Sequence, residues 1–148
     1  MVGGLGVYRT AQWFGGRAIP CAAVAAVGIA PASRGTGAAE FLMRSLVEEL
    51  HAEGVPLATL YASTQRLYRK VGFEQAGSRV CHQLPMTAIG RGDRELAVRE
   101  VSLESPAPFE ALAARHAQAS SGHLQRSAGL WDRLLQHPEG HQSGFVIG

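Results

Sequence analysis

Between residues 27 and 46 the sequence reads VGIAPASRGTGAAEFLMRSL. An apolar run breaks at Pro31, passes Arg34-Gly35-Thr36-Gly37, and turns at once into a helical pattern. Two glycines and an arginine ahead of a helix are suited to holding a phosphate. A helix N-terminus presents unpaired backbone N–H groups and the positive end of the helix dipole, which together attract anions. Gly35 and Gly37 leave room for oxygens to approach the amides of residues 35–40, and Arg34 adds a cation beside them. The same residues would also serve in an ordinary glycine-rich turn between strand and helix. Two familiar phosphate loops do not fit. Ala38-Ala39 stand where a P-loop needs Lys-Ser/Thr, and Glu40 stands where the dinucleotide fingerprint needs its third glycine.

Several elements must position this turn. Residues 3–20 read as a hairpin, in which Val7, Arg9 and Trp13 belong to alternating strands and Phe14-Gly15-Gly16-Arg17 makes the turn. CAAVAAVGIA, residues 21–30, is a nearly continuous apolar strand of the kind buried on both faces. Over residues 36–53 the period changes to 3.6. Ala39, Leu42, Met43, Leu46, Val47 and Leu50 form one stripe, while Glu40, Glu48 and Glu49 read as a solvated face, and Gly54 stands at the expected end. PLATLYAS, residues 56–63, reads as a second buried strand, parallel to the first as strand–helix–strand units require. A short helix over residues 64–71 is stopped by Gly72, and a strand or hairpin follows over 73–84. Beyond Pro85 the pattern predicts a strand near 96–101, a helix opened by Pro106 and Pro108, a loop over 120–127, a helix over 128–137 and a final strand at 145–147 with nothing after it to pair with.

The turn carries a further pattern. Arg34-Gly35-Thr36-Gly37-Ala38-Ala39 matches, position by position, the Arg/Gln-x-x-Gly-x-Gly/Ala acyl-CoA signature of the GNAT superfamily of N-acetyltransferases. Tyr68 to Phe73, in LYRKVGF, resembles that family's Tyr-x-x-x-Gly-Phe element at the expected distance. Together the two motifs span about residues 20–84. More narrowly, VAAVGIAPASRGTGAAEFLMRSLVEEL with LYASTQRLYRKVGFEQAG resembles the first acetyltransferase domain of the enhanced intracellular survival (Eis) type, in which tandem GNAT domains precede a sterol-carrier-like domain. HLQRSAGLWDRLL with GFVIG is similar to the entry into the second GNAT domain. The resemblance implies an α/β (α+β) GNAT fold, a mixed central sheet with flanking helices, truncated at both ends. It divides the chain into a partial GNAT domain over 1–84 with its CoA-binding core at 20–84, a linker or edge strand over 85–105, and the start of a second GNAT-like domain over 106–148.

The resemblance also implies roles for residues. The backbone of Val27, Gly28 and Ile29 would pair with the pantetheine amides, the amides of Gly35, Thr36, Gly37, Ala38, Ala39 and Glu40 would cradle the pyrophosphate, and Arg34 would assist. Ser63 and Thr64 match positions that contact the cofactor, with helix capping as their alternative role. Tyr68 is the candidate catalytic residue. Acetyl transfer expels a thiolate whose conjugate thiol has a pKa of about 8.5, and a phenol within reach can protonate it as it leaves. The competing role of Tyr68 is a core tyrosine packed by Leu67 and Phe73, and Tyr61 and Tyr8, without motif support, are read as core tyrosines. An amine of pKa about 10.4 is neutral only to roughly one part in a few thousand at pH 7, so a base is useful. In the resembling family that base is the chain's own C-terminal carboxylate, and Gly148 falls more than a domain short of that position.

Function follows as an expectation: acetyl-CoA-dependent N-acetyltransfer to a primary amine of a small molecule or a lysine side chain. The alternative is a non-catalytic CoA-binding or regulatory module, or an inactive fragment of a tandem-GNAT protein. Composition reads as soluble and globular, with many turns. The 148 residues are 46% hydrophobic and 18% charged, with 18 Gly and 7 Pro. A net charge of +2 is too small to point to nucleic acid. Cys21 and Cys81 have no CxxC spacing, read as small buried hydrophobes, and suit a reducing, cytoplasmic setting. The apolar residues 18–31 are too few to span a bilayer and lack the charged lead of a signal peptide, so no membrane partner is expected. No metal is expected either. His137 and His141 are separated by Pro138 and Gly140, which break any helix that would align them, and His116 and His123 straddle a loop. Arg66, Arg69 and Lys70 read as a water-facing basic patch, and Trp131 as a helix anchor. A homo-oligomer is a candidate state of the full-length protein only.

Overall fold

A computed structural model describes residues 1–90, 96–136 and 144–147 of the chain. A mixed apolar and polar run and a nearly continuous apolar one build two long antiparallel strands, β1 (Gly3–Phe14) and β2 (Arg17–Ile29). They are joined by Gly15-Gly16, whose φ values of +54° and +74° suit the tight two-residue hairpin turn. After β2 comes a 3₁₀ turn, Pro31–Ser33, then helix α1 (Ala38–Ala52) and strand β3 (Leu57–Leu60). As the strand–helix–strand pattern demands, β3 lies parallel to β2, in register from Cys21↔Leu57 to Val24↔Leu60. Helix α1 ends where expected, with Gly54 at φ +72°. Helix α2 (Gln65–Arg69) follows, and Gly72 at φ +95° closes it.

The core sits between α1, α2 and one face of the sheet. Met43, Leu46 and Leu50 of α1 pack with Ala22 and Val24 of β2 and with Tyr68 of α2. This is the apolar stripe read from the 3.6 periodicity, with Met43 fully buried at its centre. On β2 full burial is confined to Cys21, Ala22 and Val24, so the strand is covered on both faces only in its middle. A bidentate ion pair from Arg9 on β1 to Glu53 locks the far end of α1 against the hairpin.

Beyond α2 the structure corrects three expectations. Residues 74–84 form no strand; Val80 and Leu84 are 68% and 69% exposed, and Cys81, read as buried, is exposed too. A segment makes a strand only when a partner and a cover exist, and among the described residues this one has neither. Residues 120–127, read as loop, contain a two-residue strand β5 (Leu124–Gln125) that pairs antiparallel with β1. Its signal is not local, because the long outer edge of β1 supplies the pairing groups: Trp13 donates to the His123 carbonyl (2.8 Å) and accepts from the Gly122 N–H (2.7 Å). The final strand β6 (Gly144–Ile147) is paired after all, folding back antiparallel on β4 (Val98–Val101). Four strands thus form one sheet in the order β3-β2-β1-β5, and β4-β6 form another. Helices α3 (Ala107–Ala119), with proline at its start, and α4 (Ala128–Leu135) complete the described elements. No described helix is long and apolar enough to cross a membrane.

Candidate functional site

The turn leading into α1 adopts a conformation that only its glycines adopt easily. Gly35 has φ +79° and Gly37, at the helix N-cap, φ +86°. A Cβ at either position would meet no atom within 4 Å, so the missing side chains open space rather than relieve crowding within the fold. Thr36 steadies the turn by donating its hydroxyl to the Ser33 carbonyl (2.8 Å). No side chain caps α1, and the first internal bond runs from the Phe41 N–H to the Gly37 carbonyl. The amides of Ala38, Ala39 and Glu40 therefore lack helical partners, as at any uncapped helix start. Arg34 is exposed and in no ion pair among the described residues.

A second feature comes from β2. Between Gly4↔Gly28 and Gly6↔Ala25 the register shifts by one, and Ala26 takes φ +52°, the one positive φ of a non-glycine residue described. This bulge kinks the strand just beyond Val24↔Leu60, its last pairing with β3. Past that point residues 25–29 keep β1 on one side and, among the described residues, have no strand on the other. Val27, Gly28 and Ile29 thus present a free edge that leads directly into the glycine turn. No sequence signal announces the bulge, since alanine is not a residue that marks left-handed backbone.

Tyr68 sits on α2, 6% exposed, in the core cluster with Met43 and Leu46. Its ring meets Phe73 edge to face at 6.2 Å, and its carbonyl accepts from the N–H groups of Val71 and Phe73. The Tyr-x-x-x-Gly-Phe spacing thus closes α2 and braces the tyrosine in one arrangement. No side-chain hydrogen bond among the described residues involves its hydroxyl, and since no buried side-chain oxygen there lacks a partner, the hydroxyl reaches the surface. Ser63 and Thr64 follow β3 and are exposed; Thr64 occupies the α2 N-cap, yet its side chain makes no capping bond.

Charges around α1 differ from expectation. Glu40, read as a solvated side chain, is half-buried and bridges Lys70 of α2 (2.9 Å) and Arg44 (3.2 Å). Lys70 first, and Arg44 second, hold its carboxyl below the usual carboxylate range. Arg69 does the same to Glu74 at 2.8 Å, so of Arg66, Arg69 and Lys70 only Arg66 stands in no ion pair among the described residues. A depressed folded-state pKa stabilises the fold above the unfolded value and loses that contribution as pH falls through the folded one. E40Q should therefore unfold with a shallower pH dependence between about pH 5 and pH 3 than the parent, followed by denaturant melts at each pH.

Elsewhere, Tyr61 is 76% exposed rather than in the core, and Tyr8 is half-buried, its hydroxyl accepting from Arg133. Trp131 is buried as an anchor, with the Arg126 guanidinium 5.0 Å over its ring. His116 and His123 come together, rings 4.6 Å apart, but no third ligating group joins them among the described residues. His137, His141 and Gly148 lie outside the described residues. An apolar cavity of about 540 Å³ lies between α3, β5 and α4, lined by Leu112, His116, Trp131 and Leu134, away from the glycine turn.

A free strand edge feeding an uncapped glycine turn, next to a braced tyrosine, can be compared with known proteins. A family model described as an acetyltransferase (GNAT) domain matches residues 1–76. This chain belongs to the GNAT acetyltransferase family. It is 31% identical to the N-acetyltransferase Eis of Mycobacterium tuberculosis, over 87% of this chain and 35% of that protein. The GCN5-related N-acetyltransferase of Anabaena variabilis superposes on 99% of the chain with a TM-score of 0.86 and 35% identity, using 38% of its own length. Eis1 from Mycobacterium abscessus covers 90% of the chain with a TM-score of 0.67 and 25% identity. The GNAT fold is thereby shown, as is likeness to the Eis type. The chain spans about a third of the length of the curated relatives it matches.

Proposed function

We propose that this chain forms the donor-binding and acid-supplying part of an acetyl-CoA-dependent N-acetyltransferase that acts on a primary amine of a small molecule or a lysine side chain. The observation that carries the reading is the continuity of the open β2 edge with the uncapped glycine turn. One is an acceptor and donor strip for an extended amide chain; the other is an anion cradle. Bound acetyl-CoA would supply an acetyl group activated as a thioester. Val27, Gly28 and Ile29 would hold its pantetheine arm, and the amides from Gly35 to Glu40 its pyrophosphate, with Arg34 beside them. The space a Cβ would fill at Gly35 and Gly37 is the space the phosphate oxygens need. Ser63 and Thr64 line the approach from β3. Tyr68 would donate its phenol proton to the departing thiolate. The same reading assigns residues 1–84 to a partial GNAT domain, 85–105 to a linker or edge strand, and 106–148 to the start of a second GNAT-like domain, with residues 124–125 reaching back to β1. It places the protein in the cytoplasm and leaves the acceptor base to the longer protein.

Calorimetric titration of the chain with acetyl-CoA, with ATP and NAD as controls, tests the reading. Selective binding supports it; absence of binding by a folded chain removes it. Gly37→Val sharpens the result. Its Cβ would enter the cradle, and valine at φ +86° adds roughly 1–3 kcal/mol of backbone strain. Gly54→Val places comparable strain at the other end of α1, at φ +72°. Both variants should melt lower than the parent, and only Gly37→Val should lose acetyl-CoA affinity.

A further inference from the structure

Helix α2 carries Tyr68 but has only five residues, too few to be stable on its own. Tyr68 itself is packed into the core, and Lys70, the C-cap two residues on, donates to the Glu40 carboxylate (2.9 Å). Glu40 is the third residue of α1, and its own N–H belongs to the glycine turn, where it lacks a helical partner. One residue thus faces two ways, with its backbone toward the cradle and its side chain toward the helix of the acid. Arg44, one turn on, holds the same carboxylate from within α1 (3.2 Å), so three charges form a strut rather than an isolated pair. No side chain caps α1, which leaves its first turn without internal restraint. An anion seated on those amides would supply the missing cap and stiffen the turn, and with it the Glu40 carboxylate.

We infer that Glu40 and Lys70 are positioning residues: the bridge between them carries occupancy of the donor cradle to α2, so that donor binding orders the helix that presents Tyr68. The coupling rests on the acetyl-CoA reading above and adds to it a route from the phosphates to the acid. Coupling is reciprocal, so the same bridge returns the ordering of α2 as donor affinity, and for a partly exposed pair the effect is a few-fold, about fivefold at most.

Amide hydrogen exchange of the full chain, read over residues 65–73 with and without saturating CoA, tests the coupling. In the parent, CoA should slow exchange of these amides by about threefold to fivefold. In Lys70→Gln and in Glu40→Gln the CoA-dependent slowing should vanish, and Lys70→Arg should keep it. Arg9→Gln, which breaks the ion pair at the far end of α1, should keep it as well. A bridge that only glued α1 to α2 would raise exchange in the variants with and without CoA alike, leaving the difference intact, and that result overturns the inference. Retention of the slowing in Glu40→Gln alone overturns it too, because Lys70 would then be meeting the donor directly, as does a parent that binds CoA with no slowing at all. A folded parent that binds no CoA in the calorimetric titration overturns the cofactor reading itself, an outcome visible before any exchange is measured.

Discussion

Tyr68→Phe should lower kcat by about 10²–10⁴-fold while leaving the affinity for acetyl-CoA and the melting temperature close to those of the parent. The substitution removes one hydroxyl. The ring stays, with its edge-to-face contact to Phe73 and its place among Met43, Leu46 and Ala22. Because that hydroxyl holds no partner among the described residues, its loss orphans no buried group there, and the fold has little to lose. A proton donor to a leaving thiolate acts only as the bond breaks, so the loss belongs in kcat rather than in donor binding. Single-turnover kinetics with acetyl-CoA and a saturating primary amine, on a protein that retains the acceptor base, would separate the terms. An unchanged rate would return Tyr68 to a purely packing role. A parallel loss of donor affinity would mean that the hydroxyl holds acetyl-CoA instead of serving as acid.

Much of this site was legible in the residues themselves. Glycine at 35 and 37, an amphipathic stripe starting at once afterwards and apolar strands on both sides permit one common arrangement, and the fold adopts it. Local signals were enough because each element there is defined by its own periodicity and end residues. The bulge at Ala26 was not legible, because it arises from a mismatch between β1 and β2 and not from a residue that favours positive φ. The Glu40–Lys70 bridge was missed for a related reason: two residues 30 positions apart meet only once α2 has packed beside α1. Residues 73–84 failed in the opposite direction. They read as a strand or hairpin after Gly72, but a strand is a property of a pair, and among the described residues β3 remains an edge. The brief pairing of Leu124–Gln125 with β1 is the same principle at work where an edge did find a partner.

Met43→Ala should be the most damaging single substitution in the first half of the chain, costing about 2–5 kcal/mol of stability. Met43 is fully buried, and it touches the cluster that joins α1 to β2 and α2, so truncation leaves a void bordered by three elements at once. Few other buried side chains share that load: among the described residues Leu46, Leu50, Ala22 and Val24 are its buried aliphatic company. The functional consequence follows from geometry. Tyr68 belongs to the same cluster and lies on a helix of only five residues, which has little stability of its own and takes its position from this packing. The variant should therefore lose turnover before it unfolds, with kcat falling at temperatures where circular dichroism still reports a folded chain. Met43→Leu, close in volume, should cost under about 1.5 kcal/mol and restore most of the rate. If Met43→Ala unfolds cooperatively with full activity up to its transition, then Tyr68 is held by α2 and Phe73 alone, and the core under α1 supports the cradle without positioning the acid.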